Sequence, residues 1–574
     1  MKIHLSAIAF ATLLGCQMGC QTKPAEDLTS TKPGKEKSTK FVDVTERSNL
    51  YFDYKNGREA SLYAIVESLG GGCAALDFDH DGYLDVYAPG GGSVVDGSRL
   101  VGRNSFLFRG GPVLKFEAVA EVAACASSKR YSHGCAVADA DNDGFADILL
   151  TGFGGLQFFR NHGDGTFEEV AVDAQLSDSK WSSSAGWGDL NNDGALDLYI
   201  CHYADWSFEN NPVCPGGGPD HRDVCPPREF KPLDDTLYLN NGDGTFTDAS
   251  QNSGLVPGGK GLGVVMADFD HDRDTDIYVA NDTTPNFLYQ NDGAGTLSEV
   301  GIASGAALDE RGVPNGSMGT AVGDFDSDGL TDLWVTNFEM ETFGLYRNRG
   351  QFQFQHISRD SGVNAIGSKF VGFGTATEDF DLDGDLDIAV SNGHVIYYPT
   401  DGDPQQTPVY LENQGNGVFR KITPGDEGQY FQVKHVGRGL ATCDFDRDGK
   451  VDLLFTHLNG SGCLLRNEST TSGRSIQVKL IGTHSNRDGV GARIVLQTSV
   501  GIQTRQLSGG GSYLSQSEPI VTFGVPAGVE CQKLTVIWPS EEREESISSP
   551  RSGEIYTFKE SYSIVSTAQV DTSF

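Results

Sequence analysis

The sequence predicts an all-β protein, and three observations carry that prediction. An acidic nine-residue loop of the form DxDxDGxxD recurs seven times along the chain. Each copy has a Gly-rich run of small residues before it and a run of Val, Ile, Leu, Tyr or Trp after it. Glycine is abundant, 73 of 574 residues, which suits many tight turns and not helices. Together these predict a seven-bladed β-propeller over residues 41–468, followed by a smaller β-sandwich-like domain over 475–560.

The first stretch reads as an export signal. Lys2 precedes an apolar run from Ile3 to Leu14, broken only by His4, Ser6 and Thr12 and too short for a stable membrane span. It ends in Leu13-Leu14-Gly15-Cys16, which resembles the bacterial lipobox. That resemblance implies acylation of Cys16 as the first mature residue, with Cys20 as a second candidate. Residues 1–15 are then a lipoprotein-type signal peptide. Residues 16–40, rich in Lys, Thr, Ser and Pro, form a flexible tether. The expected location is exported, anchored by lipid at the outer membrane or cell surface, or otherwise secreted or periplasmic. The membrane would be touched only through the anchor.

The repeats come next, spaced by roughly 50–80 residues, near the blade period of known propellers. Candidate ligands are Asp77, Asp79, Asp81 and Asp85 in the first loop and Asp139, Asp141, Asp143 and Asp147 in the second. The third offers Asp189, Asn191, Asp193 and Asp197, and the fourth Asp268, Asp270, Asp272 and Asp276. The fifth offers Asp324, Asp326, Asp328 and Asp332, the sixth Asp379, Asp381, Asp383 and Asp387, and the seventh Asp444, Asp446, Asp448 and Asp452. After each loop comes a buried-type strand such as LDVYAPG or TDLWVTN, then a hairpin such as LYLNNGDGTFTDAS whose Gly-Asp-Gly sits between apolar strands. Each unit is therefore about four antiparallel strands.

The ends of the array bear on closure. A fourth-strand signature stands at Phe116, Phe167, Phe246, Leu297, Phe354 and Phe419, and the seventh unit lacks one. The missing copy is Phe41-Val42-Asp43-Val44-Thr45 at the other end. An N-terminal strand completing the last blade would close the ring and hide its strand edges. Eight blades with one degenerate unit is the alternative. From about Ser475 the Asp loops stop, and SIQVKLIG, ARIVLQTS, IQTRQLSG and KLTVIWPS read as strands of the second domain. Residues 561–574 are left as a tail.

Calcium wants six to eight oxygen ligands at about 2.3–2.6 Å. Asp at loop positions 1, 3 and 5 converges short carboxylates on one point, Gly at 6 permits the turn, and Asp at 9 closes the shell. Without a cation these carboxylates would repel one another. An Asp-Gly turn alone does not require Asp at position 9, yet all seven copies have it. The expected cofactor is Ca2+, up to seven ions, in a structural role. The fourth site is expected to be weakest, because Arg273 stands where Gly is needed and its guanidinium could partly replace the ion.

Charge and cysteines narrow the partners. Asp and Glu number 79 against 43 Lys and Arg, a net charge of -36, which opposes nucleic-acid binding. Eleven Cys include two in the signal region; Cys214 and Cys225 close a short Pro/Gly-rich loop and are the best disulfide candidate. The sequence contains no HExxH, GxSxG or P-loop motif, and no carboxylate pair stands out. His133, His162 and His356 read as ordinary loop or hairpin residues.

The repeats resemble the FG-GAP/VCBS repeats of integrin α-chain heads and secreted bacterial proteins. Asn486-Arg487-Asp488-Gly489-Val490-Gly491-Ala492-Arg493, Gly510-Gly511-Ser512-Tyr513-Leu514-Ser515-Gln516 and Trp538-Pro539-Ser540 resemble the ASPIC/UnbV domain. The order of the two is similar to the cartilage acidic protein family, and Cys214 and Cys225 match a two-Cys insertion there. The resemblance implies an extracellular calcium-binding module; it does not imply an enzymatic reaction. The sequence thus predicts a binding or adhesion module for a glycan or protein ligand. A calcium-dependent polysaccharide lyase or hydrolase, and a structural envelope protein, are the alternatives. Two insertions, 202–235 and 394–408, carry the candidate ligand-surface residues Tyr203, Trp206, His221, Tyr397 and Tyr398. Gly509 to Tyr513 reads either as a contact loop or as a strained turn.

Overall fold

The structure, a computed structural model, describes residues 39–570 apart from 219–220, 400–401, 424, 427–428 and 541–542. The signal peptide, Cys16, Cys20 and the tether up to residue 38 lie outside the described residues. Among the described residues no helix is long and apolar enough to cross a membrane.

Seven units of four strands follow one another along the chain, each running from an inner strand to an outer one, and two of the sheets gain a short fifth strand, Gly509–Gly510 beside the fourth inner strand and Gly425–Asp426 beside the seventh outer strand. The inner strands are Ala74–Leu76, Tyr131–Ala138, Ser182–Gly188, Gly261–Ala267, Thr320–Gly323, Gly372–Glu378 and Gly437–Cys443. Each lies against the inner strands before and after it, and the first lies against the last, so they ring a central axis. The Gly content of these strands follows from that crowding. A Cβ at Gly263 would stand 2.1 Å from the Met318 carbonyl oxygen, and one at Gly319 would stand 2.0 Å from that of Phe373. The seventh sheet takes its outer strand, Lys40–Asp43, from the start of the body, paired antiparallel with Cys463–Asn467. The signature residues Phe116, Phe167, Phe246, Leu297, Phe354 and Phe419 all lie in outer strands, where they are buried between neighbouring sheets.

The inner two strands of every sheet are joined by an Asp loop at one end of the ring, here called the lower face. The connection from second to third strand lies at the opposite, upper face. There the insertions 202–235 and 394–408 meet residues 51–69 and a three-stranded sheet of Lys55–Asn56, Gly91–Val95 and Arg99–Gly102. Cys214 and Cys225 are disulfide-bonded, and the other described cysteines are free.

Two readings are corrected here. Tyr203 and Trp206 are not exposed aromatics: they are 2% and 3% accessible and pack with Trp181, Phe230 and Tyr513 in one apolar cluster under the insertions. Hydrophobic burial outweighs any surface role for rings of that size. His133 is not a loop residue either. It is fully buried in an inner strand between Tyr54 and Trp181, whose indole N–H donates to its Nε2 at 2.8 Å, and burial lowers its pKa to about 3.

The second domain is a sandwich of two four-stranded sheets around Ile476, Val478, Ile494, Phe523, Leu534, Trp538 and Phe558. It extends beyond residue 560. Ser563–Gln569 is a strand paired with Glu554–Lys559, so most of the expected tail belongs to the domain. One segment, Gly509–Glu518, leaves the sandwich and fills the axis of the ring. Gly509–Gly510 pairs with Val265–Met266 of the fourth inner strand. Ser512 exchanges main-chain hydrogen bonds with Thr320 of the fifth, accepts the Thr375 N–H of the sixth and donates to the Leu440 carbonyl of the seventh. Leu514 bonds to Cys135 of the second and Ser184 of the third, and Gln516 bonds to Cys73 and Ala75 of the first. The segment touches all seven inner strands. Both readings of Gly509–Tyr513 hold: the turn is left-handed at Gly510, Gly511 and Ser512, and it makes its contacts with the propeller of the same chain.

Candidate functional site

Each Asp loop is built by the same few hydrogen bonds. The position-1 carboxylate accepts the main-chain N–H of position 6, as Asp139 does from Gly144 at 2.7 Å and Asp444 from Gly449 at 2.8 Å. The position-5 carboxylate accepts the N–H of position 7, as Asp81 does from Tyr83 and Asp328 from Leu330, both at 2.9 Å. Position 9 staples three pieces of chain. Asp332 accepts the Phe325 N–H at 3.2 Å through one oxygen and the Asn348 N–H of the third strand at 2.7 Å through the other. Position 6 is left-handed throughout, from +81° at Arg273 to +102° at Gly384, and so is position 4, from +56° at His80 and Arg447 to +67° at His271.

The carboxylates converge as the spacing predicts. Oxygens of Asp77, Asp79 and Asp85 lie within 4.8 Å of one another, as do those of Asp139, Asp141 and Asp143. The same holds for Asp268, Asp270 and Asp276, for Asp324, Asp326 and Asp332, and for Asp379, Asp381 and Asp383. Burial, then like charge, pushes Asp85 and Asp332 up to about 8 and Asp189 to about 6. Oδ1 of Asp77 and of Asp139 are buried with no hydrogen-bond partner among the described residues. Orphaned anionic oxygens in an all-oxygen set fit a hard divalent cation of the calcium type.

Arg273 behaves partly as expected. It holds the left-handed turn at φ +81°, and its N–H still bonds Asp268 at 3.0 Å. Its guanidinium also reaches Glu544 of the second domain, at 3.8 Å. Arginines from the third strand meet position 3 of other loops, such as Arg347 on Asp326 at 2.6 Å and Arg160 on Asp141 at 3.4 Å.

The second domain covers the lower face, and contacts reach several of the loops. Asp488 accepts the Asp139 N–H at 2.9 Å, and the Arg487 N–H donates to Asn142 at 3.0 Å. Gln506 receives the Thr331 hydroxyl at 3.2 Å, Arg505 donates to Gly384 at 3.2 Å, and Gln477 donates to Asp444 at 2.9 Å. Arg447 and Glu518 form a bidentate pair at 2.7 and 2.9 Å. Glycine at position 6 is doubly required where the domain sits closest: a Cβ at Gly194 would stand 2.5 Å from the His484 carbonyl oxygen.

One set of residues escaped the sequence reading. Asn161, Asn240, Asn291, Asn348, Asn413 and Asn467, in the third strands, each donate through Nδ2 to the position-2 carbonyl of the preceding loop and the position-8 carbonyl of their own. They clamp six of the seven junctions between sheets. The first sheet has Gly110 at this place, so the junction between seventh and first sheets has no such clamp. The signal was present as an Asn ending each RN, LN, QN or EN pair.

On the upper face the remaining candidates come together. His221 and Tyr398 stack with ring centroids 4.6 Å apart, and Tyr398 is 40% exposed. Tyr397 donates its hydroxyl to Glu67 at 2.7 Å. Asp223 accepts the N–H groups of Tyr397 and Tyr398, both at 2.9 Å, and thereby ties the two insertions to each other.

A family model described as FG-GAP-like repeat matches residues 139–200, 231–279, 268–335, 324–390 and 379–455, half of the chain, and one described as ASPIC and UnbV matches 482–564. Cartilage acidic protein 1 of Homo sapiens is 26% identical over 497 residues, covering 82% of this chain and 68% of its own length. The Xenopus tropicalis protein of that name is 26% identical over 432 residues, covering 71% and 61%. Among solved structures, an Agrocybe aegerita lectin aligns over 68% of this chain and 87% of its own at 16% identity and a TM-score of 0.37. The V. cholerae biofilm matrix protein Bap1 aligns over 93% and 65% at 12% identity and a TM-score of 0.31. Structural likeness at that level carries nothing about function. The repeats, the terminal domain and their order place the chain in the family of FG-GAP-repeat proteins with a C-terminal ASPIC/UnbV domain, the architecture of cartilage acidic protein 1.

Proposed function

We propose that the chain is an exported, calcium-loaded propeller that serves as a cell-surface binding module for a glycan or protein ligand. One observation carries this reading: the ASPIC/UnbV domain covers the Asp-loop face and fills the axis, which leaves the upper face, with its long insertions, free for a partner. Up to seven calcium ions hold the loops, the fourth most weakly, and they stabilise the ring without taking part in a reaction. A lipid on Cys16 holds the body at the membrane. The covered loops explain why ions there are structural.

The test incubates the calcium-loaded full chain with a panel of polysaccharides and scores gel retention and chain shortening together. Retention without shortening is expected for at least one glycan. Shortening of any of them would replace the binding reading with that of a lyase or hydrolase.

A further inference from the structure

The upper face carries a cavity of about 190 Å³ lined from residues 56–67, from 394–397 and 404–405, from the start of the seventh inner strand and from 458–459. At about 30 Å³ per water it holds roughly six waters. That is small beside the 300–1,000 Å³ typical of drug-sized ligands, and it suits one sugar ring.

Its wall is polar, fixed and unusually positive for this chain. Arg58 stands at the mouth, its guanidinium flat over the Tyr397 ring at 3.9 Å from the centroid. None of its guanidinium N–H donors is taken up among the described residues, so a cation is held in place with its hydrogen bonds unspent. In the floor Arg438 is fully buried and donates to the carbonyls of Ser68, Gly393, Gly437 and His394. Among the described residues no carboxylate pairs with it, and its guanidinium lies over the Phe373 ring at 4.0 Å from the centroid. The opposing carboxylate is Glu67, 2% accessible, already engaged by the Tyr397 hydroxyl at 2.7 Å and the Ala64 N–H at 3.2 Å. Glu339 lies behind His394 at 3.2 Å, and Asp223 is taken up by main-chain N–H groups. Tyr63 leans on Tyr397 at 5.0 Å, and both Ser61 and Tyr63 are held left-handed at φ +53° and +52°. Non-Gly residues in that region cluster where a binding surface is preorganised.

We infer that this cavity binds a single carboxylate-bearing sugar ring, with Arg58 at the mouth pairing bidentately with the carboxylate. In a chain of net charge -36, an Arg58 guanidinium with unspent donors stands here beside the buried Arg438 cation and one already engaged carboxylate, and that imbalance selects an acidic over a neutral sugar. The inference rests on the glycan-binding reading above and names its ligand class and site.

The test measures binding of a methyl glucuronide and of methyl glucoside to the full chain by titration calorimetry, beside Arg58→Gln, Arg58→Lys and Tyr397→Phe. Equal melting temperatures of the variants and the parent show that the fold is intact. The glucuronide is expected to bind at least tenfold more tightly than the glucoside. Arg58→Gln should remove roughly tenfold to a hundredfold of that affinity, the range of a charged hydrogen-bonded pair, and Arg58→Lys should restore only part. Equal affinity for both sugars, or glucuronide binding indifferent to Arg58→Gln, would overturn the site. If polysaccharides are retained in gels while all three variants bind as the parent does, glycan binding stands and this cavity is not its site. If no glycan of either charge binds, both readings fall and a protein partner takes their place.

Discussion

Arg273 is the residue at which the repeat departs furthest from its own rule, and the structure gives that departure a cost. At φ +81° a side chain with a Cβ is strained by about 1–2 kcal/mol, which glycine avoids. The fourth loop still gathers Asp268, Asp270 and Asp276, so the departure lies in the turn and not in the donors. Arg273→Gly should therefore raise calcium affinity at this site by up to roughly fivefold to thirtyfold, and equilibrium dialysis against parent protein would detect it. Unchanged affinity and stoichiometry would overturn the reading of this site as the weakest. Position 4 taught the opposite lesson. It too is left-handed in every copy, yet it is filled by His, Asn, Ser, Leu and Arg, so composition concealed what Gly at position 6 advertised. Tyr203 and Trp206 misled for a related reason: aromatics in a long insertion look alike in sequence whether they face solvent or the cluster beneath it.

At the level of elements, the sheets were legible because each repeats one pattern, and the outer strand borrowed from residues 40–43 was legible because its signature was missing at the other end. The clamps between sheets were not, because a side-chain amide bridging two main-chain carbonyls leaves no periodic apolar trace. Asn348 binds Phe269 and Thr331 carbonyls at 2.8 and 2.9 Å and is fully buried. Asn348→Ala should cost about 1–3 kcal/mol for the buried carbonyls left unpaired, read as a lower denaturant midpoint at unchanged slope. The docking of the second domain was equally hidden, since its contacts join residues hundreds of positions apart. Leu514, 2% accessible in the axis, packs where a Cβ at Gly134 would come within 2.7 Å of it. Leu514→Ala should destabilise the whole body by about 2–5 kcal/mol in a single transition. Two separate transitions, with only one shifted, would mean that the domains unfold independently.

Over the whole molecule the acidic loops set the response to pH and to chelators. Burial raises Asp85, Asp332 and Asp444 to about 8 when no cation is bound, far above the unfolded value near 3.8. A carboxyl group raised on folding adds stability that is complete below its unfolded pKa and is lost as pH rises through the folded one. Chelator-treated protein should thus melt lower at pH 8 than at pH 5, and calcium should restore most at pH 8, where the loops are ionised. Calorimetric scans at the two pH values with and without EDTA measure it; a melt indifferent to EDTA at both would refute the calcium reading. The axis segment has a consequence on a longer clock. Arrays of like units ordinarily gain and lose members by duplication and deletion, because each touches only its neighbours. Here Gly509–Glu518 meets all seven inner strands at once, so an added or deleted unit would change the bore and strand a filler cut for seven. The number of units is thereby tied to ten residues encoded outside the array.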